Sequence, residues 1–300
     1  MPFTLPLHMD RRSFLRTTIL GGTAVVLSGC RSLHTSDQAL ASPECHLAFL
    51  SDTHIPGDRK SEYRGFNPWE NLRLMVPQIV AANPEGVVLS GDAARLEGKV
   101  EDYRELRQLL EPIIENAPVF IGLGNHDDRG NFVSVFEKRP GFHPSVSDRH
   151  ITVMEHDVVR VIVLDSLLYT NRTAGFLGRR QRQWLAEYLK EATDRPVVLV
   201  LHHTMGEEEG ELLDADNLFA LIRPHRQVKA LFYGHSHVWS LSNQEGRQFI
   251  NLPATGYNFR AQDPVGWVEA RFRQEGVLLT LHACAGNRGD DGKTTFVRWL

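Results

Sequence analysis

Short apolar runs rich in Val, Ile, Leu and Phe recur along the chain, and polar residues follow directly after six of them. Runs of about four to eight such residues are typical of strands that are buried on both faces of a sheet. The pattern therefore predicts six buried strands, at residues 46–50, 86–89, 118–123, 158–164, 196–201 and 228–233.

Helical periodicity separates several of these runs. Tyr103, Leu106 and Leu110 are spaced three and four residues apart, which places them on one face of a helix predicted at 101–116. The other helices are predicted at 67–82, 178–193 and 215–222. Pro77 indicates a kink or a late start in the first of these. The final part of the pattern is all-β, with strands at 249–254, 265–272 and 276–283.

Alternation of strands and helices, with no break in composition after residue 44, predicts one α/β domain over residues 45–300. The 300-residue chain is 42% hydrophobic and 23% charged, which excludes a disordered chain, a coiled coil and a collagen-like repeat. Its net charge of −4 argues against general nucleic-acid binding, which uses a basic surface. The 14 histidines are unusually many and point to metal binding or acid–base chemistry. Cys45 and Cys284 are too few for a disulfide framework, and whether they pair stays open.

A candidate export signal occupies residues 1–30. Basic residues around Arg11 and Arg12 precede a 13-residue apolar stretch, which is too short to cross a ~30 Å hydrocarbon core as a helix. The paired arginines resemble a twin-arginine signal, and Leu-Ser-Gly-Cys at 27–30 resembles a bacterial lipobox. This resemblance implies cleavage before Cys30, a lipid anchor on its thiol, and a membrane-anchored periplasmic or cell-surface lipoprotein with residues 31–44 as a tether. The alternative is an ordinary N-terminus.

Asp, Asn and His side chains follow the predicted strands, and the carboxyl ends of strands in open α/β sheets are where ligands bind. Nitrogen and oxygen donors of this kind suit Zn, Fe, Mn or Ni rather than sites built from thiolates. Seven candidates are too many for one ion, but they fit two ions that share a bridging carboxylate. Such ions lie about 3.5–4 Å apart and act on phosphate esters. The candidates are Asp52, His54, Asp92, Asn125, His202, His235 and His237.

Five sequence blocks carry a family resemblance. They are Asp52-Thr53-His54, Gly91-Asp92, Gly124-Asn125-His126-Asp127, His202 and Gly234-His235-Ser236-His237. Their order and spacing over residues 46–260 resemble the calcineurin-like metallophosphoesterase superfamily. The resemblance implies a four-layer α/β sandwich of two mixed β-sheets flanked by helices, with a dinuclear metal centre at the strand ends.

The resemblance also implies a role for each residue. One ion would be bound by Asp52, His54 and His237, the other by Asn125, His202 and His235, with Asp92 bridging the two. The cofactors would be two divalent or trivalent ions of Fe, Mn or Zn, and a metal-bridging hydroxide would attack phosphorus. His126 would not bind metal but would stabilise the transition state or protonate the leaving oxygen, and Asp127 would orient His126.

Three choices stay open at particular residues. His202 is preferred to His203 as the metal ligand, although the proline that usually follows this pair is missing. Arg95 is either a phosphate contact or a solvated surface residue. Asp165 and Ser166 are expected to cap a turn rather than to touch substrate.

Within the superfamily, the closest likeness is to bacterial class III cyclic-nucleotide phosphodiesterases and glycerophosphodiesterase-like enzymes. The residues that carry it are 124–129, 164–166, 183–185, 202–203 and 251–253. This likeness implies hydrolysis of a small phosphodiester, with no nucleic-acid partner. A phosphomonoesterase and a non-catalytic metal-binding scaffold are the alternatives. The sequence indicates neither the physiological substrate nor the oligomeric state.

Overall fold

A computed structural model describes residues 43–206 and 208–300. Over these residues the chain forms thirteen strands: β1 (Cys45–Leu50), β2 (Gly86–Leu89), β3 (Val119–Ile121), β4 (Phe142–His143), β5 (Ile151–Glu155), β6 (Arg160–Val163), β7 (Val197–Val200), β8 (Val228–Tyr233), β9 (Ser240–Gln244), β10 (Arg247–Asn251), β11 (Pro264–Arg273), β12 (Gly276–Gly286) and β13 (Thr294–Arg298). The same residues form five helices: α1 (Pro68–Ala82), α2 (Val100–Ile114), α3 (Arg129–Val135), α4 (Gly178–Glu191) and α5 (Ala215–Ile222). The predicted export signal at 1–30 and residues 31–42 of the predicted tether lie outside the described residues.

The strands pair into two mixed sheets. The first has the order β13-β12-β11-β1-β2-β3, and the second has the order β4-β5-β6-β7-β8-β10-β9. In the first sheet β1, β2 and β3 are parallel, with Ala48 opposite Val87 and Val88 opposite Phe120. In the second sheet β6, β7, β8 and β10 are parallel, whereas β4, β5 and β9 pair antiparallel. The predicted class, an α/β sandwich of two mixed sheets, is confirmed.

Apolar side chains fill the space on both sides of each sheet. The middle core lies between the sheets, where Phe49 of β1 stacks on Phe232 of β8 with ring centroids 4.5 Å apart. A second core lies between the first sheet and helices α1, α2 and α3, and a third lies between the second sheet and helices α4 and α5. Because both faces of each sheet are covered, the central strands have the continuous apolar sequences from which they were predicted.

Helix α1 is bounded by two asparagines. The Asn67 side chain accepts a hydrogen bond from the Glu70 N–H group at 3.0 Å, and Asn83 ends the helix in the left-handed conformation at φ 52°. Pro77 lies inside this helix, which already begins at Pro68, so the alternative of a late start is not found. A proline in the first turn is tolerated because its missing N–H group would have no partner in the helix.

Helix α3 and strands β4, β5, β9 and β13 were not predicted. Helix α3 has only seven residues, and the Asp128 carboxylate stabilises its start by accepting a hydrogen bond from the Asn131 N–H group at 2.8 Å. Every residue of β9 is exposed, so its sequence carries no apolar alternation. Among the described residues, no helix is long and apolar enough to cross a membrane.

The parallel strands bring their carboxyl ends to one edge of the sandwich. The pairing of β1 with β2 continues beyond both strands, because the Asp52 N–H group donates to the Gly91 carbonyl at 3.0 Å. In the second sheet, the Gly234 N–H group after β8 donates to the His202 carbonyl after β7 at 3.0 Å. The polar residues that follow these strands are therefore placed close together.

Candidate metal centre

The seven predicted metal ligands meet at this edge. Those from the first sheet are Asp52, His54, Asp92 and Asn125, and those from the second sheet are His202, His235 and His237. His235 is partly exposed and the other six are buried. Six buried polar side chains at one point are costly unless they are paired with one another or with a cation.

The backbone at the strand ends is strained. Among the described residues, nine that are not glycine have a positive φ, and the five that are predicted ligands are Asp52, His54, Asp92, His235 and His237. Their φ values lie between 45° and 69°, in the left-handed region that residues other than glycine rarely adopt. Such conformations persist only where the surrounding structure enforces them, and they concentrate at functional sites. At these five residues, the placement of the ligand side chain therefore outweighs the backbone preference for negative φ.

Two glycines that precede ligands lie where neighbouring segments approach too closely for a side chain. A Cβ atom at Gly124 would collide with the Asp92 carboxylate. A Cβ atom at Gly234 would collide with the Ser51 hydroxyl and the Asp52 carboxylate. Glycine at these positions lets neighbouring strand ends pack in direct contact.

Asp52, His54 and His237 form the first ligand group, and their ligand atoms all lie within 4.8 Å of one another. His54 Nδ1 lies 3.2 Å from the Arg95 carbonyl oxygen, and His237 Nδ1 lies 2.6 Å from that of Tyr257. Because a carbonyl oxygen only accepts, both Nδ1 atoms carry a proton and both Nε2 atoms present a lone pair to the site. These two Nε2 atoms are 3.2 Å apart. Lone pairs at this separation repel unless a cation lies between them.

Asp92, His202 and His235 form the second ligand group, again within 4.8 Å of one another. Asp92 Oδ1 accepts a backbone hydrogen bond at 2.8 Å, which leaves Oδ2 for the site. Asp92 Oδ2 lies 3.2 Å from His202 Nε2 and 3.7 Å from His54 Nε2, so it faces both ligand groups. His235 Nε2 lies 3.0 Å from the Gly210 carbonyl oxygen, and its Nδ1 is therefore the nitrogen with a lone pair.

The polar atoms at the site fit bound cations. Asp52 Oδ1 and Asn125 Oδ1 are buried and have no hydrogen-bond partner among the described residues. Burial would raise the pKa of the Asp52 carboxyl, but His237 and His202 hold it below its usual range. Burial would lower the pKa of His202, but Asp92 and Asp52 raise it to about 9. Carboxylate, amide and imidazole donors arranged in this way match the ligand preferences of Zn, Mn and Fe.

His126 lies at the mouth of the site, and its contacts differ from those expected. Its Nδ1 lies 3.0 Å from the Leu96 carbonyl oxygen and 3.2 Å from Asn171 Oδ1. No hydrogen bond joins the Asp127 carboxylate to the His126 ring among the described residues. Asp127 is fully buried and accepts from three backbone N–H groups and from the Tyr103 hydroxyl, so its oxygens have no capacity left to orient the ring. Burial raises the pKa of Asp127 to about 6.

The choice between the two adjacent histidines follows from their partners. His202 belongs to the second ligand group, whereas His203 is fully buried with its Nδ1 2.8 Å from the Ser166 hydroxyl. Asp165 is also fully buried, and Arg129 binds it at 2.7 Å. Asp165 and Ser166 therefore stabilise the polypeptide around the site and do not line it.

An aromatic wall, which the sequence did not predict, borders the first ligand group. The ring centroids of Tyr257 and Phe259 lie 4.7 Å and 4.3 Å from that of His237. The Arg95 guanidinium lies 4.5 Å from the centroid of the Tyr63 ring and is only partly exposed. The Arg95 guanidinium therefore packs on an aromatic ring beside the site, and its contact with phosphate stays a prediction.

A third group of metal-ligating side chains, Cys45, Glu85 and His156, lies at the opposite ends of the strands. His156 Nδ1 accepts a hydrogen bond from the Val158 N–H group at 3.1 Å, which places the ring proton on Nε2. That Nε2 lies 3.1 Å from Glu85 Oε2, to which it donates. It has no lone pair for a metal, so hydrogen bonding accounts for this group. Cys45 and Cys284 are both free thiols.

A cavity of about 350 Å³ opens over the two ligand groups. Besides the ligands and His126, its lining includes Thr173, Glu208, Glu211, Tyr257 and Phe259. These five residues come from loops far from the strand ends in sequence, and none of them was predicted. The cavity has space for a small ester beside the ligands, and both carboxylates and aromatic rings line it.

Residues 45–239 match the model of the family described as calcineurin-like phosphoesterase. A 3',5'-cyclic adenosine monophosphate phosphodiesterase, CpdA of Haemophilus influenzae, is 28% identical over 79% of this chain and 89% of its own. A probable cyclic nucleotide phosphodiesterase of Rhodococcus erythropolis is 30% identical over 79% of each chain. The glycerophosphodiester phosphodiesterase GpdQ of Enterobacter lignolyticus is 26% identical over 70% of this chain and 77% of its own.

Among solved structures, the fold is similar to that of a dimetal phosphatase from Danio rerio. The TM-score is 0.68 at 13% sequence identity, and the match covers 85% of this chain and 99% of the other. At this identity the similarity concerns the fold alone.

Proposed function

Because the chain belongs to the calcineurin-like phosphoesterase family, we propose that its metal centre hydrolyses small phosphodiesters in preference to phosphomonoesters. Hydrolysis of phosphoric esters follows from the family itself, and the preference for diesters is the proposal. The observation that carries metal-dependent hydrolysis is the pair of ligand groups in one cavity, with Asp92 Oδ2 facing both. Two-metal sites of this kind clamp the attacking and leaving oxygens of a phosphoryl transfer.

The proposed ligands divide between two ions. One ion is assigned to Asp52, His54 and His237, the other to Asn125, His202 and His235, and Asp92 is assigned to both. When bound, the two ions supply Lewis acidity and lower the pKa of a bound water. The imidazole, carboxylate and amide donors are compatible with Fe, Mn or Zn.

His126 is the proposed acid or transition-state stabiliser. Its Nδ1–H group donates to the Leu96 carbonyl and to Asn171 Oδ1, which fixes the ring and leaves Nε2 for the substrate. A proton on Nε2 can pass to the departing alkoxide oxygen, or it can remain and offset the charge on the phosphoryl oxygens. His126 belongs to neither ligand group, so its role is separate from metal binding.

The preference for diesters is supported by the relatives and by the cavity. Three relatives at 26–30% identity carry the names of phosphodiesterases. Tyr257 and Phe259 give the cavity an aromatic wall, which suits an organic substituent on phosphorus. A diester carries two such substituents and a monoester carries one. Cyclic nucleotides and glycerophosphodiesters are the proposed substrate types.

Export and lipid anchoring form a separate proposal that rests on Arg11, Arg12 and Cys30 in the sequence. Mass spectrometry of the protein from its native host should find a lipidated Cys30 at the N-terminus. Unmodified chains that retain Met1 in the cytoplasm would contradict this proposal.

The catalytic proposal is tested with bis(p-nitrophenyl) phosphate and p-nitrophenyl phosphate, which share a leaving group. With added Mn(II), kcat/KM should be higher for the diester, and a chelator should abolish both activities. A higher kcat/KM for the monoester would identify a phosphatase. A protein that binds two ions and hydrolyses neither ester would be a scaffold.

A further inference from the structure

Besides the proposed ligand Asp92, the cavity over the ligand groups has two carboxylates in its lining and, among the described residues, no Lys or Arg. Glu208 and Glu211 lie on the loop after β7, on either side of Gly210, whose carbonyl oxygen is 3.0 Å from His235 Nε2. Basic side chains are the usual partners of phosphate oxygens, because they neutralise charge and donate hydrogen bonds. At its mouth, this cavity instead presents negative charge to a substrate.

We infer that Glu208 and Glu211 set the charge selectivity of the site, by disfavouring dianionic phosphomonoesters and admitting singly charged diesters. The inference rests on the proposed phosphodiesterase function and adds the residues that produce its preference. A phosphomonoester has a second pKa of about 6, so it is mostly a dianion at neutral pH, whereas a diester carries one charge. Each carboxylate therefore repels a bound monoester about twice as strongly as a bound diester.

The two carboxylates are held at the cavity by the backbone of their loop. The Glu211 N–H group donates to the Glu208 carbonyl at 3.1 Å, so both residues share one turn. The Gly175 N–H group donates to the Glu211 carbonyl at 3.0 Å, and Leu212 N–H donates to the Thr204 carbonyl at 2.9 Å. Because these bonds tie the turn to neighbouring segments, the two charges stay near the mouth.

The same cavity contains an unpartnered atom of a proposed metal ligand. Asn125 lines the cavity, is 3% exposed, and its Oδ1 has no hydrogen-bond partner among the described residues. The neighbouring Glu209 does not line this cavity. It lies with Arg172 along an adjacent groove, so the loop itself provides a matched control of the same charge.

The test compares Glu208→Gln, Glu211→Gln and the double variant with the control Glu209→Gln, all in the full chain loaded with Mn(II). The measured quantity is the ratio of kcat/KM for p-nitrophenyl phosphate to that for bis(p-nitrophenyl) phosphate. Each cavity variant should raise this ratio on the order of threefold to tenfold, the size expected for one partly exposed charge interaction. Glu209→Gln should leave it close to that of the wild type.

A binding measurement separates charge selectivity in binding from effects on the rate of the chemical step. Calorimetric titration of the metal-loaded proteins with inorganic phosphate should show tighter binding to the cavity variants than to wild type. Titration with dimethyl phosphate, a singly charged diester, should show a much smaller change. Metal content should be equal in the wild type and all four variants, because neither cavity glutamate belongs to a ligand group.

Glu208→Gln decides the outcome if Glu211→Gln unfolds, because the exposed Glu208 side chain makes no hydrogen bond among the described residues. An unchanged ratio in Glu208→Gln, or an equal rise in Glu209→Gln, would overturn the inference while leaving the diesterase proposal intact. A wild-type protein that already prefers the monoester would instead refute the proposed function.

Discussion

His54 and His126 are held by consecutive carbonyl groups of one loop. His54 Nδ1 lies 3.2 Å from the Arg95 oxygen, and His126 Nδ1 lies 3.0 Å from the Leu96 oxygen. The two rings meet edge to face with centroids 5.4 Å apart. One loop therefore sets the tautomer of both a proposed metal ligand and the proposed acid. Their roles can be separated by variants that remove one ring at a time.

Replacing His126 with Ala should slow catalysis without loss of metal, because His126 belongs to neither ligand group. The rate should fall roughly 10²–10⁴-fold for diesters with alkyl leaving groups, which need a proton to depart. The deficit should be smaller for p-nitrophenol esters. A leaving-group series with metal analysis measures both effects. Loss of metal would make His126 a ligand, and equal slowing of every ester would assign it to charge stabilisation.

Replacing Asp92 with Ala should reduce bound metal from about two ions per chain and abolish activity. Asp92 Oδ2 lies within 3.7 Å of ligand nitrogens from both groups, so its loss weakens both positions at once. Elemental analysis after dialysis provides the measurement. Asp148→Ala, which removes an exposed carboxylate, is the matched control and should keep both ions. Two ions retained in the Asp92 variant would show that Asp92 does not bridge.

Replacing Asn171 with Gly should lower kcat about fivefold for alkyl esters while KM stays constant. Glycine accepts the φ of 63° at this position and keeps the N–H group that donates to the Asn125 carbonyl at 2.7 Å. Only the Oδ1 acceptor of the His126 ring is removed, which costs about 1 kcal/mol. Asn171→Asp restores an acceptor and should recover the rate. An unaltered leaving-group dependence in Asn171→Gly would contradict this positioning role.

Acid should destabilise the protein partly through His150. Burial lowers the pKa of His150 to about 4, although Asp165 opposes the shift. The folded state therefore holds the neutral ring. The resulting contribution to the free energy of unfolding is complete above the unfolded pKa of about 6.5 and is lost as pH falls toward 4. His150→Phe keeps an aromatic ring between Phe132 and Phe142 and does not titrate.

Urea unfolding of wild type and His150→Phe in chelator, at a series of pH values, measures this contribution. The free energy of unfolding of the variant relative to wild type should rise by up to about 3 kcal/mol between pH 7 and pH 4. The other buried histidines titrate in both proteins and cancel in the comparison. Parallel pH profiles would show that His150 has no part in acid unfolding.

The candidate ligands could be predicted from sequence because the strands that carry them are parallel. An apolar run followed by Gly and a polar residue marks both the strand end and the close approach there, as at Gly124 and Gly234. Parallel pairing then brings ends that are distant in sequence to one edge. The central strands followed from the same apolar runs, since both faces of each sheet are buried, whereas the arrangement in two sheets was implied by the family resemblance.

The remaining parts of the site depend on loops whose positions no local pattern encodes. Asn171 contacts the His126 ring across 45 positions of sequence, and Glu208 and Glu211 reach the cavity from a polar loop. Proximity in sequence was also misleading, because Asp127 is adjacent to His126 but is fully engaged by backbone N–H groups. Only the folded structure shows which side chains hydrogen-bond to one another.

The direction of β1 has a consequence for where the domain can be attached to another body. The chain joins the domain at Glu44, which pairs with Arg271 at 3.0 Å and with Arg273 at 2.9 Å. From there β1 runs to Asp52, so the point of attachment and the cavity lie at opposite edges, on the order of 25 Å apart along the strand. A surface or tag joined to the domain through Glu44 would therefore attach at the edge remote from the cavity and leave the mouth of the cavity open.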